Sequence, residues 1–164
     1  MDAILSAATV DDLPRIENLM QFYNHDMSEW YPVPFGDHGM YTLRPKQPYW
    51  ARPGVKPFIG RVDGQLAGFA VVDDEVTDPA SQFNMGYFFV ARRYRSLGLG
   101  RRWVADVLNR FPGRWEIVHY AGNQPAARFW PKAIAGAGAS GRVSRHSVLD
   151  DMPSITYQFD IGAR

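Results

Sequence analysis

Apolar positions recur at two periods along this chain, and the switches between the periods mark out its elements. Ala3 to Ala8 reads as a short strand. Thr9-Val10-Asp11-Asp12 then sets a hydroxyl cap three residues ahead of a carboxylate, as a capping box does. Leu13, Ile16, Leu19, Met20 and Tyr23 follow at helical spacing and predict a helix from about Asp12 into the twenties. Pro32, Pro34, Gly36 and Gly39 break any regular pattern, and an irregular stretch rich in Trp, Tyr and Pro reaches Pro57. Phe58 to Val62 and Gln65 to Val72 are β-forming runs joined by Asp63-Gly64, a tight-hairpin signal. Asp73 to Ala80 reads as an acidic, exposed connection. Tyr87 to Val90 is a buried strand, and Trp103, Val104, Val107, Leu108 and Phe111 form the apolar stripe of the helix after it. Trp115 to Tyr120 is the next strand. Asn123 caps a further helix with Pro125 in its first turn. Ala133 to Gly141 is small and flexible, and Val143 to Val148 with Ser154 to Asp160 reads as a final antiparallel pair. This order gives a mixed α/β (α+β) layout around one central sheet, in a single domain over 1–164.

Length and charge narrow the partners. The 164 residues suffice for one sizeable core. A net charge of +1 calls for neither nucleic acid nor an anionic membrane, and no apolar run approaches the ~20 residues of a membrane span. The absence of cysteine excludes disulfides, thiolate metal sites and a Cys nucleophile. No His neighbours Asp73, Asp74 and Glu75 in sequence, so they read as a solvated loop and no metal is expected. Met1-Asp2-Ala3-Ile4-Leu5 lacks a basic start and a long apolar run, so no signal peptide is expected and the cytoplasm is the expected location.

The candidate chemistry lies where the Phe88-Phe89-Val90 strand end turns into the next helix. The turn carries Arg92, Arg93, Arg95, Ser96, Leu97, Gly98, Leu99, Gly100, Arg101 and Arg102. The first N–H groups of a helix have no internal partner, and the helix dipole makes that end partly positive. Glycine lets backbone approach a phosphate closely, so the turn reads as a pyrophosphate cradle. The dinucleotide fingerprint fails, because Trp103 stands where its third Gly belongs, and no Gly-Lys-Ser/Thr run exists. A solvated basic turn and a nucleic-acid patch are the competing readings. The second would want aromatics in series, and only Tyr94 is interleaved.

Arg95-Ser96-Leu97-Gly98-Leu99-Gly100 after a strand ending in Val resembles the acetyl-CoA-binding motif of the GNAT N-acetyltransferase superfamily, Gln/Arg-x-x-Gly-x-Gly/Ala. Asn123-x-x-Ala126-x-x-Phe129-Trp130 resembles its other signature, Asn-x-x-Ala-x-x-Leu/Phe-Tyr. The resemblance covers roughly Phe58 to Lys132. The whole chain is also similar to a poorly characterised branch of predicted acetyltransferases that shares Tyr23-Asn24-His25-Asp26 and Phe88-Phe89-Val90. The resemblance implies a mostly antiparallel sheet whose fourth and fifth strands splay apart around acetyl-CoA. It implies that backbone of Phe88, Phe89 and Val90 pairs with pantetheine, that amides from Arg95 to Arg101 hold the pyrophosphate, that Asn123 bonds pantetheine, and that Phe129 and Trp130 line the thioester end. Many relatives dimerise through sheet edges or terminal strands, which makes a homodimer a candidate assembly.

Three positions depart from that pattern, one of them Tyr87, where related branch sequences favour Glu. Trp130 replaces a Tyr that often protonates the thiolate, and an indole N–H is far less acidic. Asn84 stands about where a general-base Glu is common. A lysine-like amine has pKa ~10 and must be neutral to attack. His25, Asp26, Glu29, Tyr87, His119 and Tyr120 are the candidate bases, with His119 or Tyr120 favoured because the fifth strand borders the thioester. Asp26, Glu29, Trp30 and Asn84 are candidate acceptor contacts, in a wall that also holds Tyr31, Tyr49 and Trp50. The expected activity is acetyl transfer from acetyl-CoA to a small-molecule or peptide primary amine by direct attack in a ternary complex. An acyl-CoA-binding or sensing protein that has lost catalysis is the alternative.

Overall fold

Strands β1 (Ala3–Ala7), β2 (Lys56–Val62), β3 (Gln65–Asp73), β4 (Phe83–Val90), β5 (Gly113–Tyr120), β6 (Ser140–Leu149) and β7 (Met152–Ile161) form one sheet in the order β1-β2-β3-β4-β5-β7-β6. The helices are α1 (Leu13–Met27), α2 (Gln47–Trp50), α3 (Leu99–Arg110) and α4 (Gln124–Gly136). This computed structural model describes residues 1–45 and 47–164. The β2–β3 hairpin turns on Asp63 and Gly64, at φ 48° and 79°, the paired left-handed conformation that tight hairpins require.

Both faces of the sheet are covered. Trp103, Val104, Val107 and Leu108 of α3 and Ile134 of α4 pack against Val72, Val90, Ile117 and Phe159. On the opposite face Ile16 and Met20 of α1 meet Ile59, Phe69, Val71 and Phe89. Residues 69, 71 and 73 of β3 therefore face α1, while 70 and 72 face α3, as strand alternation dictates.

Strands β4 and β5 are the one parallel neighbour pair among the described strands, and they pair only at Phe83–Trp115 and Asn84–Glu116. Beyond that point β4 stays with β3 as far as Val90, while β5 stays with β7 through Tyr120. Register against β3 slips between Val71–Tyr87 and Val72–Met85, so Gly86 is an extra residue in β4. A bulge bends its strand, and this one falls just past the last β4–β5 pair. The two strands diverge from there.

Several expectations need correction. The stretch 133–141 is mostly regular structure: α4 runs on to Gly136 with Ala133 and Ile134 buried, and β6 begins at Ser140. The irregular stretch before Pro57 contains α2 and an isolated Phe35–Tyr41 bridge; Lys46 lies outside the described residues. Strand β4 starts at Phe83, four residues before the apolar run that marked it.

Candidate active site

The turn after β4 presents a row of backbone donors. Ser96 and Gly98 are both left-handed, at φ 64° and 77°, and residues of alternating handedness aim successive amides into one concavity. Gly98 is the N-cap of α3 and bears no capping side chain. Among the described residues nothing accepts from the amides of residues 96–101; the first helical bond runs from Arg102 N to Gly98 O, at 3.2 Å. Ser96, Leu97 and Gly98 are exposed, and a Cβ placed on Gly98 meets nothing within 4 Å. Leu99 is buried, and Gly100 has Phe129 at 3.2 Å from where its Cβ would lie. The cradle is thus open outward and packed inward, which fits a diphosphate at a helix N-terminus.

The split between β4 and β5 opens into a cavity of about 1360 Å³ that reaches from Ser96, Gly98, Gly100 and Arg101 to Trp30, Asn84 and Tyr120. The β4 edge toward β5 carries no strand partner after Asn84 among the described residues. The register puts the N–H and C=O of Phe89 on β3, so it is Phe88 and the N–H of Val90 that have backbone to offer an extended ligand, Val90 O being taken by Arg95. Their side chains diverge. Phe88 stacks on Phe129 (5.9 Å) and meets Trp130 edge-on (5.6 Å), while Phe89 joins the core under α1. Asn123 caps α4 by accepting from Ala126 N at 3.0 Å, and Ala126 and Phe129 line the cavity beside it. Trp130 is buried against the core and touches the cavity at its edge.

On the α1 side of the split the walls are polar. Asp73, only 2% exposed, accepts from Tyr49 Oη (2.7 Å), Asn84 Nδ2 (2.9 Å) and Glu75 N (3.1 Å). Gly86 makes room for this group: a Cβ there would lie 2.1 Å from Asp73 Oδ2. Glu116, also buried, accepts from Thr77 N (2.9 Å), Asp78 N (2.8 Å) and Gln158 Nε2 (3.2 Å). Burial raises its pKa, but these donors outweigh burial and hold it below the ordinary carboxylate value. Tyr49 and Tyr87 are pushed well above the usual phenol pKa, chiefly by burial.

His119 and Tyr120 part company, as strand alternation requires. His119 lies with Tyr157 on the α4 side. Its Nδ1 is 2.8 Å from Tyr120 O, which can only accept, so Nδ1 carries the proton and Nε2 accepts from Tyr157 Oη at 3.0 Å. Burial lowers its pKa. Both nitrogens are occupied, which leaves no free lone pair for an amine proton. Tyr120 faces the other way, stacked on Tyr31 (5.5 Å, 7° between planes), and donates to Asp150 Oδ2 at 2.9 Å. Burial and then Asp150 raise its pKa, so it is a phenol at neutral pH. Glu29 and Trp30 line the same mouth. Asp26 also borders the cavity, but Arg92 (2.9 Å) and Arg95 (2.5 Å) already occupy its carboxylate. Arg95, expected at the pyrophosphate, donates through Nε to Val90 O (2.7 Å) and lies over the Phe89 ring (5.6 Å).

Asp73 escaped the sequence reading, which put it at the start of an exposed acidic loop. In the run Asp73-Asp74-Glu75 only the first faces the sheet. Continuing the Phe69-Val71 alternation by one step would have found it. Glu116 sits between the buried Trp115 and Ile117, and a lone carboxylate flanked by core residues is the sequence signal of a buried, hydrogen-bonded acid.

A model of the acetyltransferase (GNAT) family matches residues 19–135. Solved structures share the fold along nearly the whole chain. An acetyltransferase from Thermus thermophilus is 16% identical, with a TM-score of 0.64 and 98% of both chains covered. A GNAT-family acetyltransferase from Bacillus cereus is 18% identical, with a TM-score of 0.59 and 100% of both chains covered. The aminoglycoside acetyltransferase AAC(6')-Ib, crystallised with coenzyme A and kanamycin, is 18% identical, with a TM-score of 0.65 over 97% of this chain and 95% of that one. At such identities the likeness is one of fold. No curated protein sequence matches the chain. The family model spans well over half of the residues, and the chain belongs to the acetyltransferase (GNAT) family.

Proposed function

We propose that this protein transfers an acetyl group from acetyl-CoA to a cationic primary amine. The observation that carries the reading is the run of unpartnered amides 96–101 at the mouth of a split that begins after Asn84–Glu116. Those amides hold the diphosphate, and the free β4 edge from Phe88 to Val90 pairs with the pantetheine arm. Asn123, Ala126, Phe129 and Phe88 border that arm. Acetyl-CoA supplies the activated acyl group, and a backbone N–H of β4 past the bulge is placed to polarise its carbonyl. No cysteine is present to carry an acyl group, so the amine attacks directly: it binds as the cation, loses one proton to water to become the nucleophile, and sheds a second to water as the C–N bond forms and the C–S bond breaks.

The α1 side of the split takes the amine. Its carboxylates Asp73, Glu75 and Glu116 and its rings Tyr31, Tyr87 and Tyr120 suit a cation. The coenzyme A and kanamycin complex of the aminoglycoside enzyme supports an amine-bearing acceptor on this fold. Of the two favoured catalytic candidates, His119 has no free nitrogen and Tyr120 already gives its one proton to Asp150 with its pKa raised, so neither is free to move a proton and the departing thiolate takes its proton from water. Calorimetry with coenzyme A, followed by thiol release from acetyl-CoA over a panel of amines, tests the reading. Binding with amine-dependent release is expected. Binding without release from any amine favours a sensing protein, and no binding refutes both.

A further inference from the structure

Resting on that reading, we propose that Asp26 is a positioning residue for the coenzyme: from α1 it fixes the arginine that holds one end of the diphosphate cradle. Tyr23 and Asp26 lie three residues apart and so share a helix face. Tyr23 docks that face on the sheet, edge-on to Phe69 (6.3 Å) and Tyr87 (5.4 Å). Asp26 then reaches the turn after β4, where Oδ2 accepts from Arg95 and Oδ1 from Arg92. The Asp26 side chain is 16% exposed, against 40% for Arg95 and 76% for Arg92. The Arg95 contact is therefore the less screened of the two.

Arg95 is held at two nitrogens and on one face. Its Nε is bound to Val90 O, its Nη2 to Asp26, and its plane lies over Phe89. The side chain ties together the last residue of β4, the last turn of α1 and the first residue of the cradle. Ser96, Leu97 and Gly98 have no anchor of their own: they are exposed, two of them are left-handed, and their amides are unpartnered. The cradle is fixed only at its ends, by Arg95 on one side and buried Leu99 on the other. Releasing Arg95 frees the turn to leave the conformation in which its amides converge, and a ligand must then re-order it.

Electrostatics alone predicts the opposite. Asp26 cancels positive charge beside a site for a dianion, so removing it would tighten binding if charge were all that mattered. The sign of the effect decides. In Asp26→Asn, coenzyme A binding measured by calorimetry is expected to weaken by roughly two- to thirty-fold, as for a residue coupled to a site it does not touch. Arg95→Gln reads the same brace from its other end. The double variant is expected to bind no more weakly than the worse single one, the mark of two residues acting as a unit. Amide order parameters for residues 96–98, measured on free protein, are expected to fall in both single variants. Unchanged or tighter binding in Asp26→Asn, additive losses in the double variant, or unchanged order at 96–98 would overturn the proposal. If the unsubstituted protein binds no coenzyme A, the reading under Proposed function fails, and the order parameters alone still decide whether Asp26 braces the turn.

Discussion

Gly98 is where the cradle is most open to a decisive perturbation. Its φ of 77° lies in the left-handed region, so an L-residue other than Asn or Asp there bears strain of roughly 1–2 kcal/mol. For a chain of 164 residues that is a melting point lower by roughly 2–8 °C. No packing is lost besides, because a Cβ at Gly98 meets nothing within 4 Å. A larger side chain stands instead in the space that the amides of 96–101 face. Gly98→Trp blocks that space, and Gly98→Asn tolerates the backbone conformation with a smaller group. A hydrogen bond to a charged partner contributes about 1.5–3 kcal/mol, so losing two of them weakens coenzyme A binding by about two orders of magnitude or more. Calorimetry gives the affinity and scanning calorimetry the melting point. The expected ranking is unsubstituted protein, then Gly98→Asn, then Gly98→Trp, with both variants folded. A folded Gly98→Trp protein that binds coenzyme A within about threefold of the unsubstituted chain, under 1 kcal/mol, refutes the cradle.

The floor of the acceptor side gives further tests. Gly86→Ala drives a Cβ to 2.1 Å from Asp73 Oδ2 and should cost about 1–3 kcal/mol, read by denaturant melts. Asp73→Asn keeps the shape but removes the charge. It should raise the KM for the amine by about tenfold while the affinity for coenzyme A stays put, and equal changes in both would contradict a separate acceptor side. His119 titrates lower in the fold than in the open chain, because burial disfavours its charged form. The open chain therefore binds more protons just below pH ~6.5, and the stability contribution, full above that pH, is lost as pH falls. His119→Gln should flatten the stability–pH curve below about pH 6.5, and an unchanged slope by urea melts would deny the burial effect. The folded-state lowering of Asp26 and Glu116 acts in a more acidic window, because their stabilisation is lost as pH falls through the carboxylate range.

What the sequence makes legible here is local. The period switch from β4 to α3 and the placing of Gly98 at the helix start are properties of a dozen consecutive residues, and the structure keeps both. The Asn123 cap is equally local, since its acceptor is three residues away. The residues that escape are those whose meaning comes from distant partners. Asp26 and Arg95 are 69 positions apart, and each alone reads as solvated charge or as a motif letter. Asp73 is indistinguishable by composition from its exposed neighbour Asp74; the Asn84 amide and the Tyr49 hydroxyl across the sheet set it apart. Gly86 is intermediate. A glycine inside a strand signals a bulge or a close approach, and here it does both, bending β4 away from β5 and admitting Asp73 beside it. The same backbone step thus opens the split and sets a buried carboxylate at its foot. That coupling explains how the chain can lack a carboxylate at Asn84 and still set one on the α1 side of the split: Asn84 donates to the acid supplied by the neighbouring strand.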